Sequence, residues 1–143
     1  MSLEKTLNQF IADFSLTYFK LHRFHWFVEG AGFFSLHEKY EELYDETTAL
    51  LDEYAERLLA IGGKPISTMK EFLAATTLSE EGSETKPDDI HKTIIADYQK
   101  MVDNLKKGIS VAEEADDNTT ADLFIETIGT FQKHIWMFKQ TIK

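Results

Sequence analysis

The chain has 143 residues, 43% hydrophobic and 13% aromatic, which suits one domain spanning 1–143 with a sizeable core. Its formal net charge of −10 argues against generic binding to nucleic acid or an anionic membrane, and fits a protein that attracts metal cations. There is no cysteine, so disulfides, zinc knuckles and thiolate catalysis are excluded. No segment reads as a signal peptide or approaches the roughly 18 apolar residues of a membrane span. The expectation is a soluble cytoplasmic protein, nucleoid-associated at most.

Only seven glycines and two prolines punctuate the chain, and four long stretches lie between them. The first runs from about Leu3 to Glu29. Its positions Leu3, Leu7, Phe10, Phe14, Thr17, Leu21, Phe24 and Val28 recur in steps of three and four, the spacing of one helical face. Gly30 and Gly32 end it. The second is expected to start at Ser35-Leu36-His37-Glu38, read as a capping box. It carries Leu36, Tyr40, Leu43, Thr47, Leu50, Tyr54, Leu58 and Ile61 and stops at Gly62-Gly63-Lys64-Pro65. A short helix is predicted from Thr68 to Ala75, followed by a polar segment, Leu78 to Lys86. Pro87-Asp88-Asp89 opens the third long helix, with Ile90, Ile94, Tyr98, Met101, Leu105 and Ala112 in register. The fourth spans about Thr119 to Ile142, with Phe124, Ile128, Phe131, Ile135, Phe138 and Ile142. Strand signals are absent.

Four amphipathic helices predict an all-α four-helix bundle. The short turns make helices one and two antiparallel, and likewise three and four. About 25 residues, including the short helix, join two to three, long enough to cross the bundle lengthwise. That is the single-crossover arrangement of ferritin-like folds.

The chemistry concentrates in His25, His37, Glu41, Asp52 and Glu56. His37 and Glu41 lie four apart on helix two, as do Asp52 and Glu56, so each pair shares a face. His25 sits near the end of helix one, across the turn. Two imidazoles and three carboxylates are a normal ligand set for iron. Placed at helical steps, these residues fall away from the core stripe, among Tyr44, Leu51, Ala55 and Leu59. A second apolar strip bearing polar residues suggests a subunit interface. Asp52 is 15 residues from His37, about 22 Å along a helix at 1.5 Å per residue, so one metal cannot take both within a chain. Two antiparallel copies of helix two about a two-fold axis would bring them together, twice by symmetry. The plain alternative is that these acids are solvated, with Glu53 and Arg57 an ordinary i,i+4 pair.

The segments His25-Trp26-Phe27-Val28-Glu29-Gly30, Phe33-Phe34-Ser35-Leu36-His37-Glu38-Lys39, Asp52-Glu53-Tyr54-Ala55-Glu56-Arg57, Gly62-Gly63 and Lys133-His134-Ile135-Trp136-Met137-Phe138 resemble the Dps family of starvation-induced mini-ferritins. The resemblance covers nearly the whole chain and is closest to the Gram-positive branch with short termini. It implies a ferroxidase centre at the dimer two-fold, with His25, His37 and Glu41 from one subunit and Asp52 and Glu56 from its partner. It further implies up to two irons per centre and a hollow homo-oligomeric dodecamer. The implied reaction is two-electron oxidation of paired Fe(II) by hydrogen peroxide or oxygen, with ferric mineral stored inside and DNA spared oxidative damage. Many relatives carry Asp where Glu41 stands, which bears on the weaker second iron position.

Other residues have more than one reading. Glu113, Asp117 and Asp122 line iron-uptake pores if the resemblance extends to them, or form an acidic turn that complements a helix dipole. Trp26 and Trp136 read as radical scavengers, as in relatives, or as core aromatics. Glu38, Glu42 and Asp45 are mineral-nucleating or merely solvated. His22, three before His25, reads as a stray metal ligand or as packing or solvent contact; His91 and His134 match no motif. A di-iron site inside the bundle would need Glu-x-x-His on two helices, and none is present; Asp88-x-x-His91 is the nearest approach. The alternative function within the family, DNA compaction, depends on lysine-rich tails. Met1-Ser2-Leu3-Glu4-Lys5 offers no basic arm, so little or no direct DNA binding is expected.

Overall fold

The computed structural model describes residues Met1–Lys143 as five helices and no strand. The helices are α1 (Leu3–Phe27), α2 (Phe33–Ala60), the short α3 (Met69–Ala75), α4 (Pro87–Glu114) and α5 (Asn118–Thr141). No helix is long and apolar enough to cross a membrane.

Local chemistry explains most of the boundaries. Ser2 caps α1 by accepting from the Lys5 N–H. Gly30, at φ 114°, supplies the left-handed backbone that turns the chain from α1 into α2. Helix α2 then begins two residues earlier than the Ser35 capping box predicts, with Gly32 as N-cap and no side-chain cap. The Phe33 N–H is already met by the Gly30 carbonyl at 3.1 Å, so Ser35 lies inside the helix. The capping box belongs instead to α3, where Thr68 and Glu71 satisfy each other's backbone N–H. Pro87 opens α4 at its first turn, where a missing N–H costs nothing.

The pairing of the helices can be read from their side-chain contacts. Helices α1 and α4 are antiparallel: Phe10 lies against Gly108, Thr17 against Met101 and Lys20 against Asp97. Helices α2 and α5 are also antiparallel, through Glu46 with His134, Tyr54 with Thr127, and Arg57 with Thr120. At Gly108 any Cβ would come within 3.1–3.2 Å of Phe124 and Phe10, so the missing side chain is what lets two aromatic rings fill the bundle centre. Phe10 meets Tyr54 and Phe124 edge-on there, and Phe14 meets Tyr54 edge-on, with ring centroids 4.9–5.9 Å apart.

The segment between α2 and α4 runs the full length of α1, as the crossover reading requires. Lys64 meets Glu4 and Asn8 at the start of α1. Thr76 and Thr77 meet Asp13 in its middle, and the Glu80 carbonyl accepts from Arg23 further along. The Thr85 carbonyl finally accepts from Glu29 N–H beyond its end. Asp13 is fully buried and takes three hydrogen bonds from the crossover, two from hydroxyls and one from a backbone N–H. Burial raises its carboxyl above the ordinary value even though those bonds pull the other way.

Candidate metal centre

His25 ends α1 and His37 begins α2, twelve residues apart and joined by the turn at Gly30–Gly32. The two imidazoles stack at 3.6 Å between centroids and 12° between planes. Each ring binds the other's backbone: His25 Nδ1 donates to the His37 carbonyl at 2.6 Å, and His37 Nδ1 donates to the His25 carbonyl at 2.8 Å. A carbonyl only accepts, so both Nδ1 atoms carry a proton, and Nε2 is the nitrogen each ring leaves outside these bonds. This is the orientation that metal-binding histidines take when a backbone carbonyl holds the second nitrogen. His25 is buried and His37 half-buried, and Phe33 stacks beside His37.

Glu41 lies one turn after His37 and is exposed, with Oε1 3.8 Å from His25 Nε2. The structure therefore places His25 against His37 on one side and near Glu41 on the other. Asp52 and Glu56 lie further along α2, exposed, and join no cluster with them; within one chain no three His, Asp or Glu side chains gather as a metal cage. Asp52 borders an open groove of about 600 Å³ whose walls include Leu51, Ala55, Ile66 and Phe72.

Beside His25 lies an aromatic group that the periodicity of the sequence does not reveal. His22 donates Nδ1–H to the Tyr18 carbonyl at 2.9 Å, and its ring stacks on Tyr44 at 3.7 Å and 19°. Tyr44 in turn meets His25 edge-on at 5.4 Å. Partial burial, then the carboxylates of Glu41 and Asp45, raise the Tyr44 phenol, so it is protonated at neutral pH. The i, i+3 spacing of Glu41 and Tyr44 was the only available signal.

The remaining candidates sort by contact. Asp117 is the N-cap of α5, accepting from the Thr120 N–H and hydroxyl, and it pairs with Arg57 at 3.1 Å. Burial alone would raise its carboxyl, but the Thr120 hydrogen bonds and the Arg57 guanidinium outweigh that and hold it below the ordinary value. Arg57 thus spans to α5, and the expected i,i+4 pair with Glu53 does not form. Glu113 and Asp122 are exposed. His91 is buried between helices: Thr141 donates its hydroxyl to the Phe138 carbonyl, so His91 Nδ1–H donates to Thr141 and Nε2 accepts from Tyr40. Both nitrogens are used, which removes His91 as a ligand inside the bundle. His134 donates to Glu46 at 2.8 Å. Trp26 and Trp136 are 58% and 60% exposed, so neither is a core aromatic within one chain. Glu38, Glu42 and Asp45 are exposed.

Comparison with known proteins places the whole chain in one family. Residues 4–143 match the ferritin-like domain family. The chain is 44% identical over 135 residues to DNA protection during starvation protein 2 of Bacillus anthracis, covering 94% of this chain and 92% of that one. It is 40% identical over 137 residues to general stress protein 20U of Bacillus subtilis, covering 96% and 94%. Among solved structures, Dps from Staphylococcus aureus superposes with a TM-score of 0.96 at 38% identity, over 99% of this chain and 95% of that one.

Proposed function

The chain belongs to the ferritin-like Dps family, and we propose that it is a ferroxidase that stores iron, working at a centre shared between two copies. The observation that carries this reading is the His25–His37 clasp. Two imidazoles are locked through Nδ1 with Nε2 left free of backbone partners, His25 near Glu41 and both at the edge of an unpartnered apolar strip. Asp52 and Glu56 of a second copy complete the set if two α2 helices pack antiparallel.

In this reading Fe(II) is the substrate. His25, His37 and Glu41 bind it from one side, and the second copy's carboxylates bind it from the other. Carboxylate oxygen favours the ferric product, and an incomplete protein ligand set leaves room for oxidant and water. With hydrogen peroxide the balance is two Fe(II), one peroxide and two protons giving two Fe(III) and two waters. The peroxide takes two electrons together, one from each iron, so its O–O bond is cleaved to water and no hydroxyl radical is released. The ferric product passes to mineral inside a shell, proposed as a dodecamer of two-fold dimers. Its protection of DNA is chemical and needs no direct contact.

The test is anomalous scattering from a crystal soaked in Fe(II). The expected density lies between His37 of one copy and Asp52 of another, with ligands from two chains. Iron ligated by one chain alone, or only at surface acids, overturns the reading.

A further inference from the structure

Helix α3 is apolar in sequence, Met69-Lys70-Glu71-Phe72-Leu73-Ala74-Ala75, yet none of its residues is buried. So short a helix is marginal by itself; it is held by its capping box and by α1, and its apolar side chains stay uncovered. Phe72 lines the open groove of about 600 Å³ whose other walls include Leu51 and Ala55 of α2 and Ile66 of the crossover. Asp52 borders that same groove.

Trp26 is the matching feature at the other end of the strip. It follows His25 and is 58% exposed. Its ring lies 5.4 Å from His22, and His22 stacks on Tyr44 at 3.7 Å. Aromatic contact thus joins Trp26 to the α2 face that carries Tyr44, Leu51 and Ala55. A ring held against His22 while more than half exposed is already ordered, so little freedom is lost when it docks. Helices α1 and α2 run antiparallel, with His25 beside His37 and Tyr18 beside Tyr44. A two-fold axis that carries His37 to the Asp52 of another copy passes near Tyr44, midway between them on α2. Trp26, next to His25, travels with His37 and arrives at the groove that holds Asp52.

We propose that Trp26 of one copy seats in the groove beside Asp52 of the other, twice per dimer, with Ile66 and Phe72 as part of the socket. This rests on reading the iron centre as shared between two copies. The groove lies within the range of about 300–1,000 Å³ that holds small ligands, so an indole fits it. Tryptophan is also enriched among the few residues that dominate interface energies. The docked indole gives Phe72 the cover its own chain does not supply, and makes Trp26 a core aromatic between chains. The crossover then belongs to the wall of the iron centre.

The test exploits a chain without cysteine and with only two tryptophans. One chain carries Trp26→Phe, Trp136→Phe and Ser67→Cys, with a nitroxide on the new thiol; Ser67 lines the groove and is exposed. The other carries Trp136→Phe alone, so Trp26 is its single tryptophan. The two are unfolded, mixed equally and refolded, with co-assembly checked by native mass spectrometry. A nitroxide quenches tryptophan fluorescence only at close approach, so any quenching here arises between chains. With random pairing about half of the Trp26 side chains face a labelled groove. About half of the emission should therefore be lost relative to the same mixture with the nitroxide reduced, and more as labelled chain is added in excess. Unlabelled Trp136→Phe protein controls for crowding by the label: its Trp26 should resist acrylamide, whereas quenching as free as that of tryptophan amide overturns the docking. Undiminished emission in a demonstrably mixed assembly overturns it, as does loss seen only when Trp136 is the tryptophan kept, because another contact then fills the groove. If His25/His37 and Asp52/Glu56 variants restore each other's Fe(II) oxidation while Trp26 stays unquenched, the docking falls and the shared centre stands. If there is neither rescue nor quenching, both fall.

Discussion

If iron is held between two chains, two inactive variants should rescue each other. One variant carries His25→Ala with His37→Ala and keeps its carboxylates. The other carries Asp52→Ala with Glu56→Ala and keeps its histidines. The magnitude follows from the geometry of α2. His37 and Asp52 stand 15 residues apart on one unbroken helix, about 22 Å at 1.5 Å per residue, so no bending of a side chain brings them to one ion. Each homo-oligomer therefore holds only half-sites and should oxidise Fe(II) near the protein-free rate. When the two are unfolded together, mixed equally and refolded, about half of the two-fold dimers are mixed. In a mixed dimer one of the two symmetric sites has both halves intact and the other has neither. Activity should return to about a quarter of wild type, and should follow the product of the two subunit fractions as the ratio is varied. The assay is the rise in ferric absorbance after adding Fe(II) and peroxide, with co-assembly checked by native mass spectrometry. Background activity in a demonstrably mixed assembly refutes the shared site.

Three further outcomes are expected. Asp117→Ala removes both the cap of α5 and the partner of Arg57, and should cost about 1–2 kcal/mol at neutral pH. Because the folded carboxyl lies below its ordinary value, that contribution is present above the unfolded value near 3.9 and is lost as pH falls through the folded one; melts taken at pH 7 and at successively lower pH should show the gap narrow only below the unfolded value. His91 is neutral in its network and burial holds it below the ordinary histidine value, so stability should fall as pH drops below about 6.5; His91→Phe should flatten that part of the profile, and an unchanged slope would place the loss elsewhere. Glu113→Gln with Asp122→Asn should slow mineralisation at low Fe(II) and leave assembly intact if these acids draw iron inward, whereas unchanged uptake returns them to solvated helix-end charges.

Much of this protein is written in local periodicity. The steps of three and four along Leu7, Phe10, Phe14, Leu21 and Phe24 place one face of α1 in the core, and all five are buried. The length between Gly62 and Pro87 requires a crossover, and the structure lays that segment along α1. The rise of a helix alone separates His37 from Asp52, so that no single ion can take both within one chain is legible without coordinates. Such features depend on residues a few positions apart on one element, where the backbone dictates the geometry.

What the sequence could not decide are contacts between elements, which depend on how helices rotate about their axes when their faces pack. Arg57 has Glu53 one turn away, yet turns to Asp117 and Thr120, because α5 offers it a partly buried carboxylate and a hydroxyl. Buried Asp13 takes its hydroxyl and N–H donors from Thr76 and Thr77, which only the crossover brings to α1. The mutual bonds of His25 and His37 require the carbonyl that ends one helix to face the ring that begins the next, and only the turn at Gly30 sets that distance. Tyr44 is one more polar aromatic on α2 until α1 places His22 beneath it. A helix tells its own residues which way to point, and only the neighbouring helix determines what they meet.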